Sequence, residues 1–141
     1  MKDKYFLDTN ILVYSFDKTQ KIKQQKSQKL ISSALSDHNG IISYQVIQEF
    51  INLATRKFEK PFLPKEAREY LDEVLEPLCA VHSSSQLYFK ALKIHEEQKY
   101  SFYDSLIIAG AIEGGCRFLY SEDFQHGQKF SGIEIVNPFR V

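Results

Sequence analysis

The chain has 141 residues, 43% of them hydrophobic, and its 18 basic and 18 acidic side chains leave no net charge. This length fits one domain with one core, and no apolar run is long enough for a transmembrane helix or placed as in a signal peptide. We therefore expect a single domain, residues 1–141, that is cytoplasmic and makes no membrane contact. Charge is uneven, because residues 1–60 hold 10 basic against 6 acidic side chains and residues 61–141 hold 8 against 12. This balance excludes a nucleic-acid-binding protein that is basic over its whole surface, but allows a basic face beside an acidic pocket.

Short apolar runs alternate with amphipathic stretches along the chain. The runs predict strands at residues 4–8, 41–43, 78–81, 117–120 and 133–136. The stretches predict a first helix directly after Asp8 and further helices at residues 18–35, 46–58, 64–76, 86–97 and 101–114. We expect Asn39-Gly40 to end the helix at 18–35 and Gly114-Gly115 to end the last one. Strands alternating with helices indicate an α/β fold whose parallel sheet is covered on both faces.

Four acidic residues lie at the ends or edges of these apolar segments, namely Asp8, Glu49, Asp104 and Asp123. Asp8 and Asp123 follow predicted strands, and Asp104 lies near the start of the most apolar helix. Glu49 falls about 40° outside the apolar arc of its helix. Because ligands of a parallel sheet bind beyond the carboxyl ends of its strands, we expect all four at one rim. Each alone also fits a cap, turn or boundary role, and Glu122 competes with Asp123 for the fourth position.

A rim that gathers four carboxylates predicts a bound cation. Carboxylates about 5 Å apart repel by roughly 3 kcal/mol per pair at an effective dielectric near 20. Oxygen ligands without His or Cys favour Mg²⁺ or Mn²⁺, and such an ion is typical of phosphodiester hydrolysis. All four acids are candidate ligands. The candidate nucleic-acid contacts are Lys18, Lys26, Lys29, Arg56 and Lys57. A solvated helix face explains the lysines equally well. The two cysteines, Cys79 and Cys116, are expected to be free thiols.

Four blocks of the chain resemble the PIN-domain ribonucleases of the VapC toxin type. They read FLDTNILVY at 6–14, ISYQVIQEF at 42–50, YDSLIIAGA at 103–111 and LYSEDF at 119–124. Their order and spacing over nearly the whole chain are similar to that family. The resemblance implies a single PIN domain with a three-layer α/β/α fold, in which helices flank a short central parallel sheet.

The resemblance also implies roles for named residues. The acidic pocket would consist of Asp8, Glu49, Asp104 and Asp123, of which Asp8 and Asp104 are the principal metal ligands. Hydrogen bonds from Thr9 or Asn10 and from Ser121 would support it. The implied activity is Mg²⁺- or Mn²⁺-dependent cleavage of RNA, by a homodimer that a cognate antitoxin silences. The apolar surface for such partners would come from Phe58, Phe62, Leu63 and Tyr70.

Other functions remain open at this point. A noncatalytic PIN-like protein that only binds partners would be expected to lose one of the four acids, and none is lost. A PIN nuclease acting in RNA processing, or on DNA, outside a toxin-antitoxin pair would keep all four. A phosphatase of the haloacid-dehalogenase type would need Asp-x-Asp after the first strand, where this chain has Asn10.

Overall fold

A six-stranded sheet forms the centre of the molecule, in the spatial order β3-β2-β1-β4-β6-β5. The structure, a computed structural model, describes residues 3–140. The strands are β1 (Tyr5–Leu7), β2 (Gly40–Ser43), β3 (Cys79–Val81), β4 (Phe118–Tyr120), β5 (Lys129–Phe130) and β6 (Ile133–Val136). Neighbouring strands are parallel except for β5, which is antiparallel to β6. The predicted α/β fold with a largely parallel sheet is confirmed. The two-residue strand β5 was not predicted, because it is too short to show a periodic pattern.

Seven α-helices surround the sheet in the described part of the chain. They are α1 (Thr9–Tyr14), α2 (Lys21–Asp37), α3 (Tyr44–Arg56), α4 (Pro64–Tyr70), α5 (Glu76–Leu78), α6 (Ser85–Gln98) and α7 (Phe102–Glu113). The helix predicted at 64–76 is interrupted by a π-helical turn, Leu71–Leu75, which joins α4 to α5. Within residues 3–140, no helix has the length and apolar character needed to cross a membrane.

Both faces of the sheet are covered, as the side chains of β1 demonstrate. Tyr5 and Phe6 face opposite sides, because successive residues of a strand alternate. The Phe6 ring comes within 3.6 Å of the position that a Cβ on Gly110 of α7 would occupy, whereas the Tyr5 hydroxyl lies 3.4 Å from the Leu30 carbonyl oxygen of α2. Helices α7 and α2 therefore lie on opposite faces, which is the three-layer α/β/α arrangement.

The start of α2 differs from the prediction because of a local hydrogen-bonded turn. The Asp17 carboxylate accepts hydrogen bonds from Thr19 N at 3.0 Å and Thr19 Oγ1 at 2.6 Å. Side chains of this type stabilise turns in competition with a helix. Helix α2 therefore begins at Lys21, and Lys18 lies in the turn before it.

The end of α2 also differs from the prediction. His38, rather than Asn39-Gly40, ends the helix, with a left-handed φ of 58°. Gly40 already belongs to β2, and a Cβ there would lie 2.4 Å from the Cβ of Ala34. Glycine at position 40 thus allows β2 to approach α2 closely. The end predicted for α7 is confirmed, since Gly114 caps it and Gly115 adopts a φ of 72°.

Candidate active site

Asp8 stands at the junction of β1 and α1. Its backbone N–H donates to the Tyr120 carbonyl oxygen at 3.0 Å and so extends the pairing of β1 with β4. One carboxylate oxygen accepts from Thr9 N at 2.7 Å and the other from Ser121 Oγ at 2.6 Å. The residue is only 5% exposed, and burial raises the pKa of Asp8 to about 7. The two hydrogen bonds oppose this rise, and the charges of Asp123 and Glu49 add to it.

Glu49 is half-buried on α3 and is held at both carboxylate oxygens. Thr9 Oγ1 donates to its Oε1 at 2.6 Å, and Gln45 Nε2 donates to its Oε2 at 3.1 Å. The same Gln45 nitrogen donates to the Tyr103 carbonyl oxygen at 3.0 Å. Thr9 thus links Glu49 to the Asp8 region, and Gln45 links it to the start of α7.

Asp104 lies in the first turn of α7, which Ser101 caps. The Asp104 backbone N–H donates to Ser101 Oγ at 3.1 Å, as an N-cap requires. Apolar residues fill most of the remaining helix, and Ser105 to Ala111 are all buried. The cap and this packing together bring Asp104 to the cleft described below.

Asp123 belongs to the turn after β4, and its neighbour Glu122 has a different environment. Asp123 N donates to Ser121 Oγ at 3.1 Å, so Ser121 holds both Asp8 and the Asp123 backbone. Burial and the nearby Asp104 charge raise the pKa of Asp123. Glu122 instead accepts hydrogen bonds from Tyr14 and Lys23. Of these two acids, Asp123 lines the cleft described next and Glu122 does not.

One cleft of about 520 Å³ collects the four predicted acids. Its lining also includes uncharged polar residues, namely Thr9, Asn10, Gln45 and Asn52. No Lys or Arg lines it. The side-chain amide of Asn10 is buried without a hydrogen-bond partner in the described structure, although its position beside Asp123 lowers the pKa of that carboxyl.

The sequence pattern of the PIN domain matches residues 5–129, a range that contains all four acids. The chain belongs to the PIN-domain family. A comparison with curated protein sequences gave no match.

Solved structures similar to this PIN domain include a toxin-antitoxin complex, a DNA-bound VapBC protein and a toxin. A toxin-antitoxin complex from Klebsiella pneumoniae is 17% identical, with 98% of this chain and 100% of that chain covered and a TM-score of 0.67. VapBC2 from Rickettsia felis, bound to a promoter DNA fragment, is 22% identical over 93% and 96%, with a TM-score of 0.61. VapC20 from Mycobacterium tuberculosis, a sarcin-ricin loop cleaving toxin, is 21% identical over 85% and 90%, with a TM-score of 0.59. At these identities the likeness establishes the shared fold.

The donor chemistry of this PIN domain fits a hard divalent cation. All polar groups of its cleft are oxygens or amides, the ligand class that Mg²⁺ and Mn²⁺ prefer. Burial raises the pKa values of Asp8 and Asp123, and the charges of neighbouring acids in the cleft add to this rise. The carboxylates share the cleft without converging on one point. Within residues 3–140, no three His, Cys, Asp or Glu side chains are grouped closely enough to hold a metal ion.

The predicted nucleic-acid contacts of the PIN domain lie outside this cleft. Lys26 is half-buried on α2, and the exposed members are Lys18, Lys29, Arg56 and Lys57. Sequence reasoning did not single out Gln45 or Tyr14, which line the cleft. Gln45 lies one helical turn before Glu49, a spacing that indicates contact on a helix face. No sequence signal marks Tyr14.

The aromatic residues expected to contact partners pack against the core instead of lying on the surface. Phe58, Phe62 and Tyr70 are half-buried and surround Phe50 with ring-centroid distances of 4.9 to 6.0 Å. Leu63 alone of the expected set is largely exposed, at 65%. Large exposed apolar side chains instead lie mainly on α6 and at the starts of α3 and α7, namely Tyr88, Phe89, Leu92, Tyr44 and Tyr103. The cysteines are free, with Cys116 buried and Cys79 half-buried.

Proposed function

We propose that this PIN domain is a Mg²⁺- or Mn²⁺-dependent endoribonuclease and the toxin of a type II toxin-antitoxin pair. The observation that carries the proposal is that Asp8, Glu49, Asp104 and Asp123 come from four separate parts of the chain and line one cleft. The volume of this cleft falls in the range of about 300–1,000 Å³ typical of ligand sites. Among the similar solved structures, one is a toxin that cleaves the sarcin-ricin loop and another is a toxin-antitoxin complex, which supports both halves of the proposal.

Asp8 and Asp104 would be the main metal ligands, and Glu49 and Asp123 would complete the site directly or through water. When bound, the ion would neutralise phosphodiester charge and favour attack by water on phosphorus. The protein's own groups hold the acids in place for this reaction. Thr9 and Ser121 hydrogen-bond the Asp8 carboxylate, while Thr9 Oγ1 and Gln45 fix both oxygens of Glu49. Asp123, which is more exposed, would help to orient the attacking water at the mouth of the cleft.

A homodimer and a silencing antitoxin belong to the same proposal. The apolar side chains exposed on α6 and the start of α7 offer a surface for partner contacts. Exposed aromatic side chains are enriched at protein interfaces, and Phe89 is 72% exposed. Light scattering of the purified chain, alone and with the product of an adjacent small gene, measures both associations.

Replacing Asp104 tests the ribonuclease directly. Asp104→Asn removes a ligand charge and keeps the shape, so we expect RNA cleavage to fall at least about 100-fold with the fold intact. The assay follows degradation of total cellular RNA with about 5 mM Mg²⁺ or Mn²⁺, and with EDTA as a blank. Asp72→Asn serves as the control, because Asp72 is an exposed acid in the π-helical turn outside the cleft.

Several results would overturn this assignment. An Asp104→Asn variant that cleaves like the wild type removes Asp104 from the mechanism. Cleavage of single-stranded DNA in preference to RNA indicates a DNA nuclease, and a wild type that cleaves neither indicates a partner-binding PIN protein. Expression in a bacterial host tests the toxin half, since only the active chain should stop growth and a cognate antitoxin should restore it.

A further inference from the structure

A second polar cluster lies beside the cleft, formed by Tyr14, Lys23 and Glu122. The Tyr14 hydroxyl donates to Glu122 Oε1 at 2.6 Å, and Lys23 Nζ donates to Glu122 Oε2 at 2.5 Å. Lys23 Nζ also lies 3.4 Å from the Tyr14 hydroxyl. These residues come from α1, α2 and the turn after β4. Because Tyr14 also lines the cleft, the cluster stands at its edge.

Aromatic rings complete the surroundings of the Lys23 ammonium. Its Nζ lies 4.7 Å from the centroid of the Tyr14 ring and 5.5 Å from that of Phe139. These two rings are edge-to-face at 5.1 Å. Such contacts favour a cation, and hydrogen bonding to Glu122 raises the pKa of Lys23. Lys23 therefore stays charged and is held in one place.

The negative charge of the cleft favours a cation beside it. Twelve residues line the cleft, and they include four acids but no Lys or Arg. One divalent ion would offset only half of that charge, while an RNA strand brings further negative charge with each phosphate. The Lys23 side chain is 30% exposed and contacts a cleft-lining residue. Two of its three N–H groups face Glu122 and Tyr14, which leaves one for another acceptor.

We propose that Lys23, held by Glu122 and Tyr14, binds a backbone phosphate of the RNA strand that enters the cleft. This inference rests on the proposed ribonuclease function. Glu122 is then a positioning residue that directs the ammonium towards the RNA, and not a metal ligand. Lys23 belongs to the lysine cluster at residues 18–29 but was not among the five predicted nucleic-acid contacts, because nothing in the lysine spacing distinguishes it.

Two substitutions that break the same ion pair separate RNA binding from a structural role. Lys23→Gln removes a positive charge, and Glu122→Gln removes a negative one. A purely structural pair would lower thermal stability and RNA affinity in the same direction for both variants. RNA binding by Lys23 predicts that Lys23→Gln binds RNA more weakly, whereas Glu122→Gln binds at least as tightly as the parent.

The measurement is fluorescence anisotropy of a labelled single-stranded RNA of about 20 nucleotides and mixed sequence, in an Asp104→Asn background that leaves the RNA intact. Loss of one phosphate contact reduces the slope of log affinity against log salt by about 0.7 for a single strand. The parent's advantage over Lys23→Gln should therefore shrink about threefold between roughly 50 and 200 mM NaCl. Lys23→Arg should keep the parent slope, because it keeps the charge.

Lys93→Gln provides the matched control. It makes the same charge change at an exposed position of α6, a helix that contributes no residue to the cleft, and should leave the slope unchanged. A Lys23→Gln variant with the parent's affinity and slope refutes the inference. If the wild-type protein cleaves RNA and Lys23→Gln alters neither RNA binding nor KM, the role of Lys23 is refuted and the proposed ribonuclease function is retained. If the unmodified protein neither binds nor cleaves RNA, both fall together.

Discussion

Burial strongly perturbs the titration of Asp8. Its pKa is about 7 in the folded protein, against about 3.9 for an unfolded aspartate. Between these values the folded chain binds more protons than the unfolded chain, so the metal-free protein loses stability as pH rises from about 4 to about 7. Below about pH 4 the carboxyl is neutral in both states, and this destabilising contribution disappears.

Asp8→Asn should therefore stabilise the metal-free protein at neutral pH. Asparagine caps α1 as well as aspartate does and carries no charge. We expect a melting temperature roughly 10 °C above the wild type at pH 8 in EDTA, with the difference shrinking towards pH 4. Millimolar Mn²⁺ should raise the midpoint of the wild type only. Asp72→Asn, which removes an exposed acid, is the control. Melting temperatures of wild type and Asp8→Asn that change in parallel with pH would contradict the assignment of a buried charge to Asp8.

Gln45 shows how an uncharged side chain sets the distance between two acids. Its Nε2 joins Glu49 Oε2 to the Tyr103 carbonyl, one residue before Asp104, while its Oε1 is buried without a partner in the described structure. An unsatisfied buried acceptor costs about 1–3 kcal/mol. The residue thus serves the geometry of the cleft at the expense of stability.

Gln45→Met should separate these two effects. We expect a free energy of unfolding within about 1 kcal/mol of the wild type, since loss of the orphan acceptor offsets loss of the two hydrogen bonds. The kcat for RNA cleavage should fall about tenfold with little change in KM, because Glu49 is no longer tied to α7. Gln48→Met, at an exposed position of the same helix, is the control. Wild-type kcat in Gln45→Met would exclude a positioning role.

At the scale of elements, helices α6 and α7 both begin with a serine N-cap, but only the cap of α7 holds the backbone of a cleft residue. Ser84 Oγ accepts from Leu87 N at 3.1 Å to start α6, and Ser101 Oγ accepts from Asp104 N at 3.1 Å to start α7. Both caps follow from Ser placed before an apolar periodic run, which is why the sequence predicts these helix starts closely.

Ser84→Ala and Ser101→Ala form a matched pair. Each should lower the free energy of unfolding by about 1 kcal/mol, as measured by urea denaturation. Only Ser101→Ala should also reduce RNA cleavage, because its cap holds the backbone of Asp104. Equal activities in the two variants would mean that the packing of α7, rather than its cap, places the carboxylate.

At the scale of the whole molecule, alternation of strands and helices was sufficient to predict the parallel sheet and the shared cleft. Asp8 and Asp123 follow parallel strands, so topology alone brings them to one rim. The sequence did not distinguish Glu122 from Asp123, because adjacent acids of similar chemistry differ only in the partners that the fold supplies. For the same reason it did not distinguish Lys23 from the other lysines of α2. Tertiary contacts between distant elements determine both.

The turn after β4 has a consequence for insertions and deletions. Surface loops ordinarily tolerate changes of length. Here three consecutive residues make different contacts. Ser121 hydrogen-bonds Asp8, Glu122 hydrogen-bonds Lys23, and Asp123 lines the cleft. Adding or removing one residue would shift this order, bring the wrong carboxylate to the cleft and release Lys23. Natural relatives that keep the cleft should therefore keep the length of this turn.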